Sequence, residues 1–490
     1  MDFFDPQKQK RHDIRLGIGY AVLGLVLVLA TTILLYQAYG FGLDKEGHVI
    51  QNGLVFVSSQ PGGADVYVNG QKYKNGTDTH MSVPAGQYLI ELKRDGYHSW
   101  KRVLTVEGGS VERFDYPFLF PVELTTTPVR QYTAAPSLST QSLDRKWLLV
   151  ATPEQNKFDL YDLTQKKLSP TTFTLSPEIL SAGSTTTGWQ LVEWSKDNRH
   201  VVLKRAFDAP AGPGFEYVLV DREHAELSQN LSVAFGFTPT TLELKDRAYD
   251  QYYLFDQNSG QLFTASLREP TPQPYLSGVL SFTSEGSRVA YATAEGAPAG
   301  GVFIRIKEKQ AAPLTVRRVP VCPAYVLDMG VYEGNLYLAA GATIENRVFV
   351  FKDPIGALRR KPKEAPTPVQ ILKVDSPAHV SFSASQQFVA AENAEHFSVY
   401  DLETDRGYTY QSPAPLDAPQ PYATWMDGVR LAYVSGGKVV VFDADGANLQ
   451  TLSPAAPAWL PVFDRDYRTL YTLTTDNALT GTALLTQKDL

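Results

Sequence analysis

The sequence predicts a mainly all-β protein carried on one N-terminal apolar helix. Three observations predict it: an uncharged stretch from Leu16 to Tyr36, alternating apolar and polar residues with turn signals over 53–118, and a strand pattern that recurs down the rest of the chain. The 490 residues allow several buried cores, and the single cysteine, Cys322, excludes a disulfide framework or a multi-cysteine metal site. With 45 Lys and Arg against 52 Asp and Glu, the net charge of −7 argues against nucleic acid as a partner.

Residues 16–36 read LGIGYAVLGLVLVLATTILLY. At about 1.5 Å per residue, roughly 20 such residues match the ~30 Å hydrocarbon core of a bilayer. A transmembrane helix over 16–39 is expected, with the lipid bilayer as partner of Leu16 to Tyr36. The stretch exceeds the ~7–15-residue apolar core of a signal peptide, which favours an uncleaved anchor. Cleavage after Gly40, behind Ala38, is the alternative. Lys8, Lys10, Arg11 and Arg15 precede the helix and Lys45 follows it. The positive-inside bias therefore leaves a cytoplasmic tail, 1–15, and sends the remaining chain across the membrane. Tyr36, Tyr39 and Phe41 offer an aromatic belt at the outer end.

Over 53–118, Val55 and Val57, Val66 and Val68, then Tyr88, Ile90 and Leu92 alternate as strands, each bounded by Gly, Pro or Asn. Asn69-Gly70 is a strong hairpin signal, because both central positions of a type I′ turn need positive φ. The run Ser58-Ser59-Gln60-Pro61-Gly62-Gly63-Ala64-Asp65-Val66-Tyr67-Val68-Asn69-Gly70 leads to Asn75-Gly76-Thr77, Pro84-Ala85-Gly86-Gln87-Tyr88 and Asp95-Gly96-Tyr97. This succession resembles the PEGA domain, a short β-sandwich module of bacterial surface proteins. Gly62 stands where the family's Pro-Glu-Gly-Ala signature has Glu. The resemblance implies attachment or interaction rather than turnover. Trp100 reads as a core residue, with ligand binding as the alternative.

From residue 122 to 490 a strand ending in aspartate recurs, at Asp162, Asp221, Asp256, Asp353, Asp401 and Asp443, with Gly301-Val302-Phe303-Ile304-Arg305-Ile306 standing for a unit in the long gap. A second strand precedes each, including Trp147-Leu148-Leu149-Val150, Leu242-Glu243-Leu244 and Leu431-Ala432-Tyr433, and an eighth lies at Leu470-Tyr471-Thr472-Leu473. The mean step of about 47 residues is that of a four-stranded propeller blade. Eight units can be counted; the weak patterning of the third leaves seven as the alternative. The last unit is one strand short, and residues 122–131 offer the strand that would close the ring. Turns such as Ser142-Leu143-Asp144-Arg145-Lys146 and Ser195-Lys196-Asp197-Asn198-Arg199 resemble the Ser-Pro-Asp-Gly turns of TolB-like and WD40-like β-propellers, a resemblance that implies architecture only.

No short metal-ligand spacing links the eight histidines, and neither a Gly-x-Ser-x-Gly elbow nor a phosphate-binding glycine loop is present. Asp443-Ala444-Asp445-Gly446 and Asp464-Arg465-Asp466 are too short for calcium loops. No cofactor, metal or catalytic residue is therefore assigned. On the innermost strands Glu193 and Asp328 are the acids a propeller enzyme would use, without an accompanying arginine cluster.

Loops between second and third strands carry the candidate partner-binding residues: Asp208, Pro210 and Pro213 in Phe207–Gly214, Glu295 and Pro298 in Glu295–Gly300, then Glu345 and Glu392. Unselected drift of these loops is the alternative. Arg359, Arg360, Lys361 and Lys363 form a basic stretch that would contact phosphate groups or a membrane surface, or serve as a Pro-rich connector. The expected function is a non-catalytic, membrane-anchored, extracytoplasmic scaffold of the bacterial cell envelope that holds a protein or glycan. A propeller-type hydrolase or lyase acting on envelope polysaccharide is the alternative.

Overall fold

The computed structural model describes residues 6–38, 41–43, 49–418, 422–457, 459–486 and 488–489. The apolar stretch is one α-helix, Pro6–Ala38. It starts ahead of the uncharged run, and proline is tolerated at the first position because its missing N–H would have no helical partner anyway. Its segment Ile14–Tyr36 is long and apolar enough to cross a membrane, and residues 14–35 are exposed all round. Tyr36 stacks on Phe41 with ring centroids 4.9 Å apart. Tyr39, Gly40 and Lys45, named above for the belt, the cleavage pattern and the charge asymmetry, lie outside the described residues.

The chain divides into two compact units, one running to Glu123 and including Asp489, the other running from Leu124. In the first, two four-stranded sheets face each other. One holds Phe41–Leu43, Val49–Val57, Thr79–Pro84 and Val111–Phe114, the last parallel to Val49–Val57. The other holds Gln71–Gly76, Asp65–Val68, Gly86–Lys93 and Trp100–Val106 in that spatial order. Asn69 and Gly70 have φ of 49° and 79°, the pair of positive values the hairpin requires. Val55, Val57, Val66, Ile90, Leu92 and Leu104 fill the space between the sheets. Trp100 is 2% exposed among them, so it is a core residue and not a ligand platform.

Among the described residues the second unit is a closed ring of eight four-stranded antiparallel sheets, an eight-bladed propeller. Blades 1 to 7 occupy residues 138–174, 185–230, 241–276, 279–320, 325–373, 379–411 and 424–454, each a meander whose first strand is innermost. Blade 8 takes three strands from 462–483, and Thr126–Gln131 pairs with Ala478–Ala483 as the fourth. Adjacent blades meet through apolar seams: Phe158 and Leu160 against Trp189 and Trp194 between blades 1 and 2, and Leu148 and Tyr161 against Leu473 and Leu479 where blade 8 returns to blade 1. Polar contacts lock that return. Asp159 of blade 1, fully buried, accepts from Tyr132 Oη at 3.0 Å and Thr172 Oγ1 at 2.6 Å and pairs with Arg130 Nε at 3.2 Å.

Blade 3 departs from the expected strand ranks. Leu242-Glu243-Leu244 lies in its innermost strand, Thr241–Leu244, and Asp256 ends its second strand, not its third. The aspartate marks a turn rather than a strand rank. Asp256 Oδ1 accepts the Asn258 N–H at 3.1 Å in the hairpin after the second strand, as Asp162 Oδ1 accepts the Thr164 N–H at 3.0 Å in the hairpin after the third.

Candidate functional site

Side chains alternate along the innermost strands, so every second residue faces the channel of the ring. Glu193 on Thr185–Trp194, Glu243 on Thr241–Leu244, Glu285 on Val279–Glu285 and Asp328 on Tyr325–Tyr332 stand on the innermost strands of blades 2 to 5. A cavity of about 510 Å³ opens there, lined by Glu193, Lys196, Glu243, Asp246, Arg247 and Glu285 among others. Lys196 pairs with Asp246 at 3.1 Å and Arg247 with Glu193 at 3.3 Å.

Glu193, Glu243 and Asp328 reach across to the following blade. Glu193 Oε2 accepts the Leu244 N–H of blade 3 at 3.0 Å. Glu243 Oε2 accepts from Ser284 Oγ of blade 4 at 2.8 Å. Asp328 Oδ2 accepts the Phe382 N–H of blade 6 at 2.9 Å. Neutral donors complete the pattern: Trp194 Nε1–H reaches Thr140 Oγ1 at 2.9 Å, Trp425 Nε1–H reaches Ser381 Oγ at 3.0 Å, and Gln141 Nε2–H reaches the Phe463 carbonyl at 2.6 Å. The serine-led turns continue it on the rim, where Asn198 Oδ1 accepts the Asp144 N–H at 2.9 Å and Ser195 Oγ donates to the Arg247 carbonyl at 3.0 Å.

Burial and mutual repulsion raise the proton affinity of these carboxyls. Glu243 is pushed up to about 8, by burial first and then by Glu193 and Asp328, against the opposing bond from Ser284. Asp328 rises to about 6 through burial, although the Phe382 and Met329 N–H groups favour its charged form. Glu193 and Glu285 shift upward for the same leading reason, with Arg247 opposing in both. Among the described residues, no group of three His, Cys, Asp or Glu side chains is placed to hold a metal ion.

The residues picked out from sequence fall on two ends of the blades. In a meander, turns joining first to second and third to fourth strands lie at one end, and those joining second to third at the other. The cavity lies at the former end, since Lys196, Asp246, Arg247 and Gly286 belong to first-to-second turns. Glu295, Pro298 and Glu345 lie at the opposite end. Glu295 and Pro298 are exposed in the loop 294–300, with Glu295 Oε1 accepting from Ser277 Oγ at 2.9 Å. Glu345 is tied to Arg317 Nη2 at 2.9 Å and is only partly exposed.

Two expectations are corrected. Phe207–Gly214 is not a long loop but the tip of a hairpin between the 10-residue strands His200–Ala209 and Gly212–Asp221, in which Asp208 pairs with Pro213 and only Pro210 and Ala211 turn. Its Pro and Gly content reads as a loop, yet cross-strand pairing carries the backbone through. Glu392 is not a loop residue: it ends the strand Phe388–Glu392, is 1% exposed, and both its oxygens accept the Ala423 N–H, at 3.2 and 3.1 Å.

Arg359 and Arg360 close a short helix, Pro354–Arg360, whose Ile355 and Leu358 are buried. Arg359 pairs with Glu308 at 2.8 Å, Arg360 with Asp353 at 3.5 Å and Lys361 with Glu364 at 2.8 Å, while Lys363 is exposed. This group follows a third strand, so it lies at the end opposite Glu295 and Pro298.

Sequence reasoning missed Glu243 and Glu285. The alternation of Leu242-Glu243-Leu244 carried the signal for Glu243, once the strand is placed innermost.

A family model for the PEGA domain matches residues 52–119. Among solved structures, the chain is similar to the computationally designed Ika8 protein, at 9% identity over 73% of this chain and 98% of that one, with a TM-score of 0.42. It is also similar to Hsv2p of Kluyveromyces lactis, at 11% identity over 66% and 100% with a TM-score of 0.41. A third similar structure is the β-propeller domain of Cps50 (Swd1) from Myceliophteria thermophila, at 14% identity over 67% and 99% with a TM-score of 0.38. No curated protein matches the sequence.

Proposed function

We propose that the protein is a membrane-anchored binding platform of the cell envelope, held to the bilayer by Ile14–Tyr36 with its two β units on the extracytoplasmic side. The ring holds a protein or glycan partner and does not turn it over. The observation that carries this reading is the use of the channel acids. Glu193 and Asp328, the groups a glycan-cleaving mechanism would need, accept hydrogen bonds from the backbone of the next blade. Acids committed to joining blades favour a rigid scaffold.

The partner face is the end bearing Glu295 and Pro298, exposed in blade 4, and the hairpin tip with Asp208 and Pro210 in blade 2. Rigid blades carrying exposed loops are the usual arrangement for recognition. A photo-crosslinking residue at position 298 of the full chain in native membranes tests this, with the same residue at 363 as the control on the opposite end. Capture of one species from 298, lost when Glu295 and Asp208 are changed to Ala, supports the reading. Equal capture from both positions overturns it.

The raised proton affinity of Asp328 and Glu243 favours a second reading, since a general acid needs that property. Turnover of an envelope polysaccharide that disappears in Asp328→Asn would establish the enzyme and remove the scaffold.

A further inference from the structure

The sandwich strand Gly86–Lys93 ends in a tight corner, Arg94-Asp95-Gly96-Tyr97. Gly96 has φ +80°, which a side chain would oppose. The Tyr97 N–H donates to the Arg94 carbonyl at 3.1 Å, the Val122 N–H to the Gly96 carbonyl at 3.0 Å, and the His98 N–H to the Phe120 carbonyl at 2.8 Å. The Tyr97 ring is 7% exposed within the sandwich core, so the core fixes the place of its hydroxyl.

The corner borders an open hollow of about 760 Å³ that includes Gly63, Asp65, Lys93, Arg94, Tyr97 and Ser99. Of the other charges around it, Lys72 pairs with Asp65 at 2.7 Å and Lys93 with Glu91 at 3.1 Å. Arg94 has a different partner. Its guanidinium pairs with Oδ1 of Asp489, a residue that clusters with this unit, and Tyr97 Oη donates to Oδ2 of the same carboxylate at 2.6 Å. The Asp489 side chain is 13% exposed.

We propose that this corner is a carboxylate-binding site, with Asp489 as its built-in occupant and an acidic peptide segment of a partner protein as its exchangeable ligand. Each carboxylate oxygen meets its own donor, one of them cationic, and charge-assisted bonds of this kind are about twice as strong as neutral ones. Partial burial removes competing water, and the fixed turn lowers the ordering cost of binding. An occupant in the same chain acts at an effective concentration of about millimolar, so an external acid competes poorly until Asp489 is neutralised. The inference is independent of the platform reading, since it concerns the sandwich alone.

Fluorescence anisotropy on the full chain in detergent micelles tests it, with a labelled peptide acetyl-Gly-Lys-Asp-Gly-amide and its Asn counterpart as probes. Asp489→Asn should bind the aspartyl peptide at least about tenfold more tightly than the unaltered chain and ignore the asparaginyl one. Adding Arg94→Gln should abolish the gain. Tyr97→Phe, which keeps the buried ring and hence the fold, should weaken it about fivefold, the worth of one hydrogen bond. No gain in Asp489→Asn, a gain that survives Arg94→Gln, or equal binding of both peptides overturns the proposal. So does a gain seen only for phosphatidylserine vesicles, whose headgroup carboxylate would make the ligand a lipid.

Discussion

Carboxylates occupy two settings in the ring, and their proton affinities shift in opposite directions. On the flank of blade 2, Glu216 is almost fully buried, yet Arg205 Nη1 at 2.5 Å, Ser181 Oγ at 2.5 Å and Asn230 Nδ2 at 2.6 Å all donate to it. Burial alone would raise its proton affinity, but the donors outweigh burial and hold it below the ordinary glutamate value. At the channel, Glu243 has the Ser284 hydroxyl as a donor and other acids nearby, and burial wins. Burial does not decide charge by itself; the balance between burial and the donors that meet the carboxylate decides it.

Breaking the flank should have the largest effect. Glu216→Ala leaves the Arg205 guanidinium, 1% exposed, without its anion, and should destabilise the ring by about 3–5 kcal/mol in denaturant titration. Replacing both residues by Met should restore most of that loss, because a buried pair exchanged for apolar volume is close to neutral. If Glu216→Ala melted like the unaltered protein, the flank would not differ from the channel.

The pH profile sharpens the comparison next. Glu216 is lowered, so its contribution is present above about pH 4, the unfolded glutamate value, and is lost as pH falls further. The channel acids are raised, so theirs is present below about pH 4 and is lost as pH rises, through about 6 for Asp328 and about 8 for Glu243. Thermal stability of the ring should therefore peak in mild acid and decline toward pH 8.5. Glu243→Gln keeps an acceptor for Ser284 but cannot ionise, and should flatten the upper part of that decline. A profile in Glu243→Gln that superimposes on the unaltered one would refute the assignment.

The smallest effect belongs to charges in neither setting. Arg359, Arg360 and Lys361 pair at the surface, with side chains 56%, 71% and 68% exposed. Neutralising all three should change stability by less than about 1 kcal/mol per pair, because water screens them. A larger loss would show that the helix Pro354–Arg360 depends on these pairs rather than on Ile355 and Leu358.

Much of this fold is legible in the chain. Turn chemistry marks it: Asn69-Gly70 in the sandwich, serine-led turns at the rim, and aspartates that bond the N–H two residues on. The same chemistry misleads in blade 3, because Asp256 reports a turn without saying which strands it joins. The candidate site is less legible. Glu392 follows four apolar residues and reads as the start of a loop, and its surroundings in the fold, the Ala423 N–H and the His379 ring at 3.6 Å, reveal what meets its buried carboxylate. Glu216 and Arg205 likewise lie in ordinary strand patterns. Their pairing depends on strand register, with Arg205 directly opposite Glu216, a relation that hydrophobic periodicity does not encode.

The closing strand of the ring sets an order of events during synthesis. Thr126 and Thr482, hydrogen-bonded across blade 8, are 356 positions apart. At ribosomal rates of about 5–20 residues per second, the first waits roughly 20–70 s for the second. Throughout that interval Thr126–Gln131 is an open edge, and a chain truncated anywhere before Ala478 keeps it open. The ring thereby marks its own completion: in finished molecules Thr126–Gln131 is paired to Ala478–Ala483 as the outer strand of blade 8, and in unfinished ones that partner is missing.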